Sequence, residues 1–133
     1  MSANLKKLQE FVDKMKSTSS LLEKKTIIET IKNDDFITNA LYYTYNLFLK
    51  FNVTSKNCKK LNHIIDEECG FVDIFELFDD LNNRTYTGHD AIAMVNGVIS
   101  QNEQYADLIF SIIDRNLEIR ASESVINKVI PGL

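Results

Sequence analysis

Apolar residues recur at every third or fourth position along most of the chain, a spacing typical of helices that bury one face. In the second predicted helix, Leu21, Ile28 and Ile31 are expected to pack inward. The Glu23–Lys25 segment of the same helix is expected to face solvent. Taken together, the pattern predicts helices over about 4–16, 21–32, 36–51, 71–81, 89–100, 103–117 and 122–130.

The breaks between these helices are short. Residues 52–60 are predicted to form a loop, and residues 61–70 fit either a short helix or an extended segment. Gly88 marks a turn, and Pro131 with Gly132 is expected to end the last helix. With no strand pattern, internal repeat or low-complexity linker, residues 1–133 are predicted to form an all-α, single compact domain of six or seven short helices.

Composition agrees with an ordinary globular domain, since 44% of the 133 residues are hydrophobic and 26% are charged. No run approaches the roughly 18 apolar residues of a membrane span, and the N-terminus lacks the apolar centre of a signal peptide. We therefore expect a cytoplasmic location and no membrane partner.

The chain has two cysteines, Cys58 and Cys69, which are too few for a disulfide framework. Together with His63 and His89 they would give four zinc ligands, but their spacing matches no standard zinc pattern. We predict two unpaired thiols and no metal site.

Charge is segregated along the chain, although the net charge is −4. Residues 1–60 carry 11 lysines and 6 acidic residues, whereas residues 61–107 carry one arginine and 10 acidic residues. A basic part of this kind can meet phosphates while the acidic part faces elsewhere. On charge alone, solvated helix faces explain the pattern better.

No sequence pattern for catalysis is present: there is no GxxxxGK[ST], GxGxxG or HExxH motif. Acidic pairs such as Asp34–Asp35 and Asp79–Asp80 are adjacent in sequence, so on a helix their carboxylates point in different directions. The chain is therefore predicted to bind a ligand and not to carry out a reaction.

Two segments carry more specific information, RTYTGHDAI over 84–92 and RNLEIRASESVINKVIPGL over 115–133. A Thr-Gly turn at a helix start presents free N–H groups and a partial positive charge, which suit phosphate. Gly88 has no side chain to hinder the close approach of a phosphate, and Ser122 or Ser124 can cap the last helix and donate to phosphate. Each turn, taken alone, is better explained as an ordinary helix cap.

Together the two segments resemble the N-terminal domain of ATP-dependent DNA ligases, most closely those of T-even-type phages. That family has an R-x-x-TG-x-x-AI segment, followed later by R-D-L-x-x-G-x-S and a helix ending N-K-V-x-P-G-L. The order and spacing agree here, and T-Y-N-L over 44–47 is a weaker similarity. Arg120 stands where the family has glycine, and a site that requires positive φ would cost a non-glycine residue roughly 1 kcal/mol.

The resemblance implies sequence-independent binding of nicked duplex DNA through backbone contacts, mainly across the minor groove. The DNA-contacting residues that it implies are Arg84, Thr87, Gly88, His89, Arg115, Arg120, Ala121, Ser122, Ser124, Asn127 and Lys128.

The K-x-D-G motif of the family, whose lysine takes AMP from ATP, does not occur in residues 1–133. The chain alone should therefore be inactive, and ATP and Mg²⁺ would belong to the catalytic domains of the same ligase. The IPGL terminus is expected to lie at a domain boundary. We expect the chain to be a monomer whose partners are those domains and nicked DNA. If the source is a phage, its expected location is the bacterial host cell. The alternative is a helical protein-interaction module of a phage replication protein, docking through the acidic stretch 66–80.

Overall fold

A computed structural model describes residues 2–71 and 73–130, without the side chains at 2, 123, 128 and 129. In this part of the chain there are eight α-helices, one 3-10 turn and no strand, which confirms the all-α prediction. No described helix is long and apolar enough to cross a membrane. The predicted stop at Pro131 and Gly132 lies outside the described residues. The helices are α1 (Ser2–Lys16), α2 (Leu21–Ile31), α3 (Asp35–Tyr45), α4 (Ser55–Lys60), α5 (Ile74–Asn82), α6 (Gly88–Gln101), α7 (Ala106–Ile113) and α8 (Glu123–Val129), and the 3-10 turn Glu103–Tyr105 leads into α7.

Side-chain caps fix where several helices begin. An Asp, Ser or Thr oxygen accepts a hydrogen bond from the N–H three residues further on, which satisfies one of the free donors of the first turn. The cap residues that precede the helices in this way are Ser20 for α2, Asp34 for α3, Thr54 for α4 and Asp73 for α5. Helix α4 was predicted as loop, and that prediction is wrong for residues 55–60. Six residues are fewer than two turns, so α4 is too short to show a helical period.

Helix α3 ends at Tyr45, six residues before the predicted end at Phe51. Asn46 leaves the helix with an extended backbone, and the chain continues without helix to Thr54. Phe51 is nevertheless only 3% exposed, and its ring lies 5.1 Å from that of Phe78. The apolar pattern therefore predicted the burial of Phe51 correctly but not its backbone.

The core is continuous across the bundle. Helix α3 packs against α1, α5 and α7, while α6 packs against α4, α5 and α7. Helix α8 packs on α2 at the edge of the bundle. The side chains that are fully buried include Leu5, Leu8, Met15, Ile28, Leu41, Leu77, Phe78, Leu81, Ile109, Ile112 and Leu117. One core of this kind fits the predicted single domain.

Helix α6 also holds the irregular segment 61–70, whose structure the sequence left open. The buried Asn96 side chain donates from Nδ2 to the carbonyl oxygens of Cys58 (3.2 Å), Leu61 (3.3 Å) and Ile64 (2.9 Å). The next residue, Gly97, allows close approach, since a Cβ atom there would lie 2.1 Å from the carbonyl oxygen of Asp66. The segment is thus a packed loop on α6 and not a helix.

Candidate nucleic-acid interface

All three arginines of the chain have a left-handed backbone. The φ angles are 59° at Arg84, 63° at Arg115 and 55° at Arg120. This region costs an L-residue roughly 1–2 kcal/mol because its Cβ crowds the following carbonyl oxygen. Asparagine and aspartate occupy it far more often than arginine. Strain of this kind persists where the surrounding structure imposes it, and it concentrates at functional sites.

The first candidate turn links α5 to α6 and contains Arg84, Thr87, Gly88 and His89, all of which are exposed. Thr87 is the N-cap residue of α6, but its hydroxyl makes no cap hydrogen bond. Gly88 has a φ of 56°, and a Cβ built there would meet no heavy atom within 4 Å. The start of α6 is therefore open on the side of Gly88.

One acidic residue lies in the first turn of α6. Asp90 is exposed, and its backbone N–H donates to the carbonyl oxygen of Thr87 at 3.1 Å. A carboxylate at this position competes with a phosphate for the positive end of the helix. The helix dipole alone would therefore not suffice to bind a phosphate at this turn. Binding would also depend on the charge of Arg84 and on the hydroxyl of Thr87.

The second candidate turn precedes α8. Ser122 caps this helix by accepting from the N–H of Val125 at 3.3 Å, and its Oγ lies 2.9 Å from that of Ser124. Both serines are exposed, as is Arg120. Helix α8 has only seven residues, so the side chains of this turn matter more than the dipole of the helix.

The remaining predicted contacts in this segment are less accessible. Ala121 and Asn127 are half-buried. The Oδ1 atom of Asn127 is buried and has no hydrogen-bond partner within the described part of the chain. The side chain of Lys128 lies outside the described residues. Among the predicted contacts of this segment whose side chains the structure describes, Arg120, Ser122 and Ser124 are exposed.

Lys24 positions the second turn from beneath. Its side chain is buried, and Nζ donates to the carbonyl oxygens of Met15 (3.1 Å) and Ile119 (2.6 Å). The ammonium group thereby joins the end of α1 to the residue before Arg120. The prediction that Lys24 faces solvent is wrong, because the two carbonyls require a donor and a lysine can bury its stem to reach them. Leu21, predicted to pack inward, is 57% exposed.

We expect Lys24→Met to lower the free energy of unfolding by about 2 kcal/mol, because both carbonyl oxygens lose a charged donor while the apolar volume is kept. Urea denaturation followed by circular dichroism measures this loss. Lys25→Met, one residue along the same helix and partly exposed, is the matched control and should change stability little. Equal stability of the two variants would show that the Lys24 hydrogen bonds do not hold the turn.

Arg115 is half-buried and binds the chain itself. Its guanidinium donates to the carbonyl oxygens of Asn46 and Leu49, which follow the end of α3. Nearby, the N–H of Leu117 donates to the Tyr45 hydroxyl at 3.3 Å, and burial raises the pKa of that tyrosine. Arg115 thus has a structural role, and its predicted contact with DNA stays a prediction.

The loop between α3 and α4 connects two of the arginine turns. The backbone N–H of Lys50 donates to Asn82 Oδ1 at 2.9 Å, and Asn82 lies two residues before Arg84. Arg115 binds the start of the same loop, at the carbonyl oxygen of Asn46. A groove of about 650 Å³ lies along this loop, and its lining includes Leu47, Lys50, Asp114 and Arg115.

The third arginine turn lies against a different part of the bundle. There, Lys24 binds the carbonyl oxygen of Ile119, the residue before Arg120. An ion pair of 3.9 Å also joins Lys16 Nζ to Glu118 Oε2, close to the end of α1. The Arg120 turn is therefore positioned by α1 and α2, and not by the loop that links the other two arginines.

The acidic stretch 66–80 uses much of its polarity within the fold. Asp66 accepts from the N–H of Glu68 at 3.0 Å, and Asp73 caps α5. Asp79 accepts from the Tyr43 hydroxyl at 2.6 Å, and burial together with this carboxylate raises the pKa of Tyr43. Ile74, Leu77 and Phe78 are buried. These contacts account for three of the acids and for these three apolar residues without any docking partner.

Both cysteines are free and buried. Burial, and then the charge of Asp114, raises the pKa of the Cys58 thiol to about 11. Burial and the charge of Asp66 raise the pKa of Cys69 as well. Both thiols are therefore protonated at neutral pH. Among the described residues, no group of three or more His, Cys, Asp or Glu side chains is placed to hold a metal ion.

A scan against protein-family models finds no match to this chain, and a search of curated proteins finds none either. Any proposal of function therefore rests on the two motif segments and on the geometry of their turns.

Proposed function

We propose that this chain binds nicked duplex DNA without sequence preference, as the N-terminal domain of an ATP-dependent DNA ligase that acts in replication and repair. The observation that carries the proposal is the left-handed backbone at the exposed Arg84 and Arg120. Each lies in one of the two segments that resemble the ligase domain. A fold that needed only turns at these positions would be more stable with glycine or asparagine.

Contacts from these turns would be made to the DNA backbone. Arg84 and Arg120 are exposed and supply charge, while the hydroxyls of Thr87, Ser122 and Ser124 are suited to phosphate oxygens. Phosphates are the same at every base pair, so such contacts position a protein without reading sequence. A nick-sealing enzyme requires this, because nicks occur in any sequence.

Catalysis would belong to other domains of the same ligase. The chain has no K-x-D-G motif, so the lysine that takes AMP from ATP lies elsewhere, as do the groups that use ATP and Mg²⁺. In this arrangement the domain holds the nicked duplex while catalytic and OB-fold domains close around it. The chain acts as a monomer whose partners are the DNA and those domains.

Fluorescence anisotropy of labelled nicked duplexes tests the proposal. Two duplexes of unrelated sequence should bind with affinities that agree within a few-fold, because the contacts are to the backbone. A strong preference for one sequence would contradict the proposal. Failure to bind either duplex, combined with binding to a replication protein through residues 66–80, would favour the protein-interaction module.

Substitutions at Gly88 separate backbone strain from close approach. Gly88→Ala should lower the free energy of unfolding by about 1 kcal/mol, because φ is 56°. Gly88→Asn tolerates this φ better, yet it adds a side chain on the open side of the turn. We expect Gly88→Asn to be nearly as stable as the wild type and to bind nicked duplex more weakly in the same anisotropy assay. Unchanged affinity of Gly88→Asn would show that DNA does not approach this glycine closely.

A further inference from the structure

The turn that follows α3 presents two large apolar side chains to solvent. Phe48 is 92% exposed and Leu47 is 81% exposed. We call these two residues the Leu47–Phe48 tip. Adjacent large apolar residues at such exposure contribute nothing to the core, and they indicate a contact with a partner.

The tip is held firmly. Asn46 Oδ1 accepts from the N–H of Phe48 at 2.8 Å, and the N–H of Leu49 donates to the carbonyl oxygen of Asn46 at 3.2 Å. The guanidinium of Arg115 binds the carbonyl oxygens on both sides of the tip, at Asn46 and Leu49. The left-handed Arg115 therefore holds the backbone of the turn in place beneath Leu47 and Phe48.

The stretch of sequence that carries the tip is basic. Residues 36–65 contain four lysines and no acidic residue, and the exposed Lys50 lies two positions after Phe48. Asp114 lines the adjoining groove beside Lys50 and Arg115, and its carboxylate accepts from both the N–H and the hydroxyl of Ser55. A partner of the tip should therefore combine negative charge with flat apolar surfaces. Nucleic acid has both, in its phosphates and its base faces.

We infer that Phe48 packs against a base of the bound DNA, at a step that the tip partly unstacks. Aromatic and other apolar side chains insert between base steps in this way, while nearby cations hold the phosphates. A nick interrupts one backbone, so the step at the nick opens more easily than an intact one. The inference rests on the proposed function and extends it. Phosphate contacts alone do not distinguish a nick from intact duplex, whereas a contact of Phe48 with a base at the nick would favour the nick.

The absence of tryptophan from the chain allows a direct test. Phe48→Trp places a single tryptophan on the tip, and its fluorescence should be quenched when nicked duplex is added, because stacking on a base quenches an indole. Leu22→Trp is the matched control, since Leu22 is 74% exposed on α2. Its emission should change little on adding DNA.

Binding measurements complete the test. Phe48→Ala should weaken binding to nicked duplex about tenfold, a typical effect of losing one base–aromatic stack. The dependence on salt should stay the same, because no phosphate contact is lost. Leu22→Ala should bind like the wild type, and the difference between nicked and intact duplex should shrink in Phe48→Ala only.

The outcomes separate the two proposals. Normal DNA affinity of Phe48→Ala, or unquenched emission of a Phe48→Trp variant that binds DNA, would overturn the stacking contact and leave DNA binding in place. No DNA binding by the wild-type chain would overturn both. A Phe48→Trp emission that shifts only when the catalytic domains of a ligase are added would assign the tip to protein docking and overturn the stacking contact.

Discussion

Gly97→Ala is expected to lower the free energy of unfolding by about 3 kcal/mol, the upper end of what an added methyl group costs in a packed site. Its Cβ would lie 2.1 Å from the carbonyl oxygen of Asp66 and 2.6 Å from Cys69 Sγ. The nearer atom belongs to the backbone, so no side-chain rotation relieves the clash. Urea denaturation followed by circular dichroism measures the loss. The expected value already includes a gain of about 1 kcal/mol, because alanine is a better helix former than glycine.

Gly70→Ala is the control for this experiment. A Cβ at Gly70 would meet no heavy atom within 4 Å, so the change should stay within about 0.5 kcal/mol. If both variants were equally stable, segment 66–69 would not lie against α6 as described. If only Gly97→Ala is destabilised, the contact between α6 and this loop is established.

The second large effect should appear in DNA binding by the double variant Arg84→Gly/Arg120→Gly. Glycine relieves the left-handed strain at both positions, so the free energy of unfolding should rise by up to about 1 kcal/mol. Binding should weaken, and the slope of log affinity against log salt should become shallower by about 2, one unit for each lost phosphate contact. Stability and binding are therefore expected to change in opposite directions.

Glu118→Gly serves as the matched control for the double variant. Glu118 is exposed and has a φ of 57°, so glycine relieves the same strain while a negative charge is removed. Its salt slope should stay at the wild-type value. A double variant that gains stability and keeps its full salt slope would remove Arg84 and Arg120 from the DNA contacts, and their strain would then have no role in binding.

The sequence predicted best where the apolar period runs for several turns. Helices α1 and α6 lie close to their predicted bounds, because each has more than three turns with one buried face. The end of α3 was missed because Leu47 and Phe48 are apolar but face solvent, and a periodic pattern equates apolar with buried. Lys24 was misplaced for the opposite reason, since its charge is buried against two carbonyls that no sequence pattern reveals.

The candidate turns were partly visible in the sequence. The sequence offered Ser122 or Ser124 as the cap of the last helix, and the structure shows that Ser122 is the N-cap residue. Thr87 is the N-cap residue of α6, at the predicted Thr-Gly turn, but its hydroxyl makes no cap hydrogen bond. The left-handed backbone at Arg84 and Arg115 was not predictable, because arginine has no preference for it. The carbonyl partners of Arg115 lie 66 and 69 residues away along the chain, so its clamp on the tip depends on the tertiary fold.

The most direct test of DNA binding by this domain is the salt dependence of its affinity for a labelled nicked duplex, measured by fluorescence anisotropy. Exposed Arg84 and Arg120 acting on phosphates should give a log–log slope of about −2 or steeper, with the same slope for unrelated sequences. A flat salt dependence, or no binding at low salt, would contradict the account.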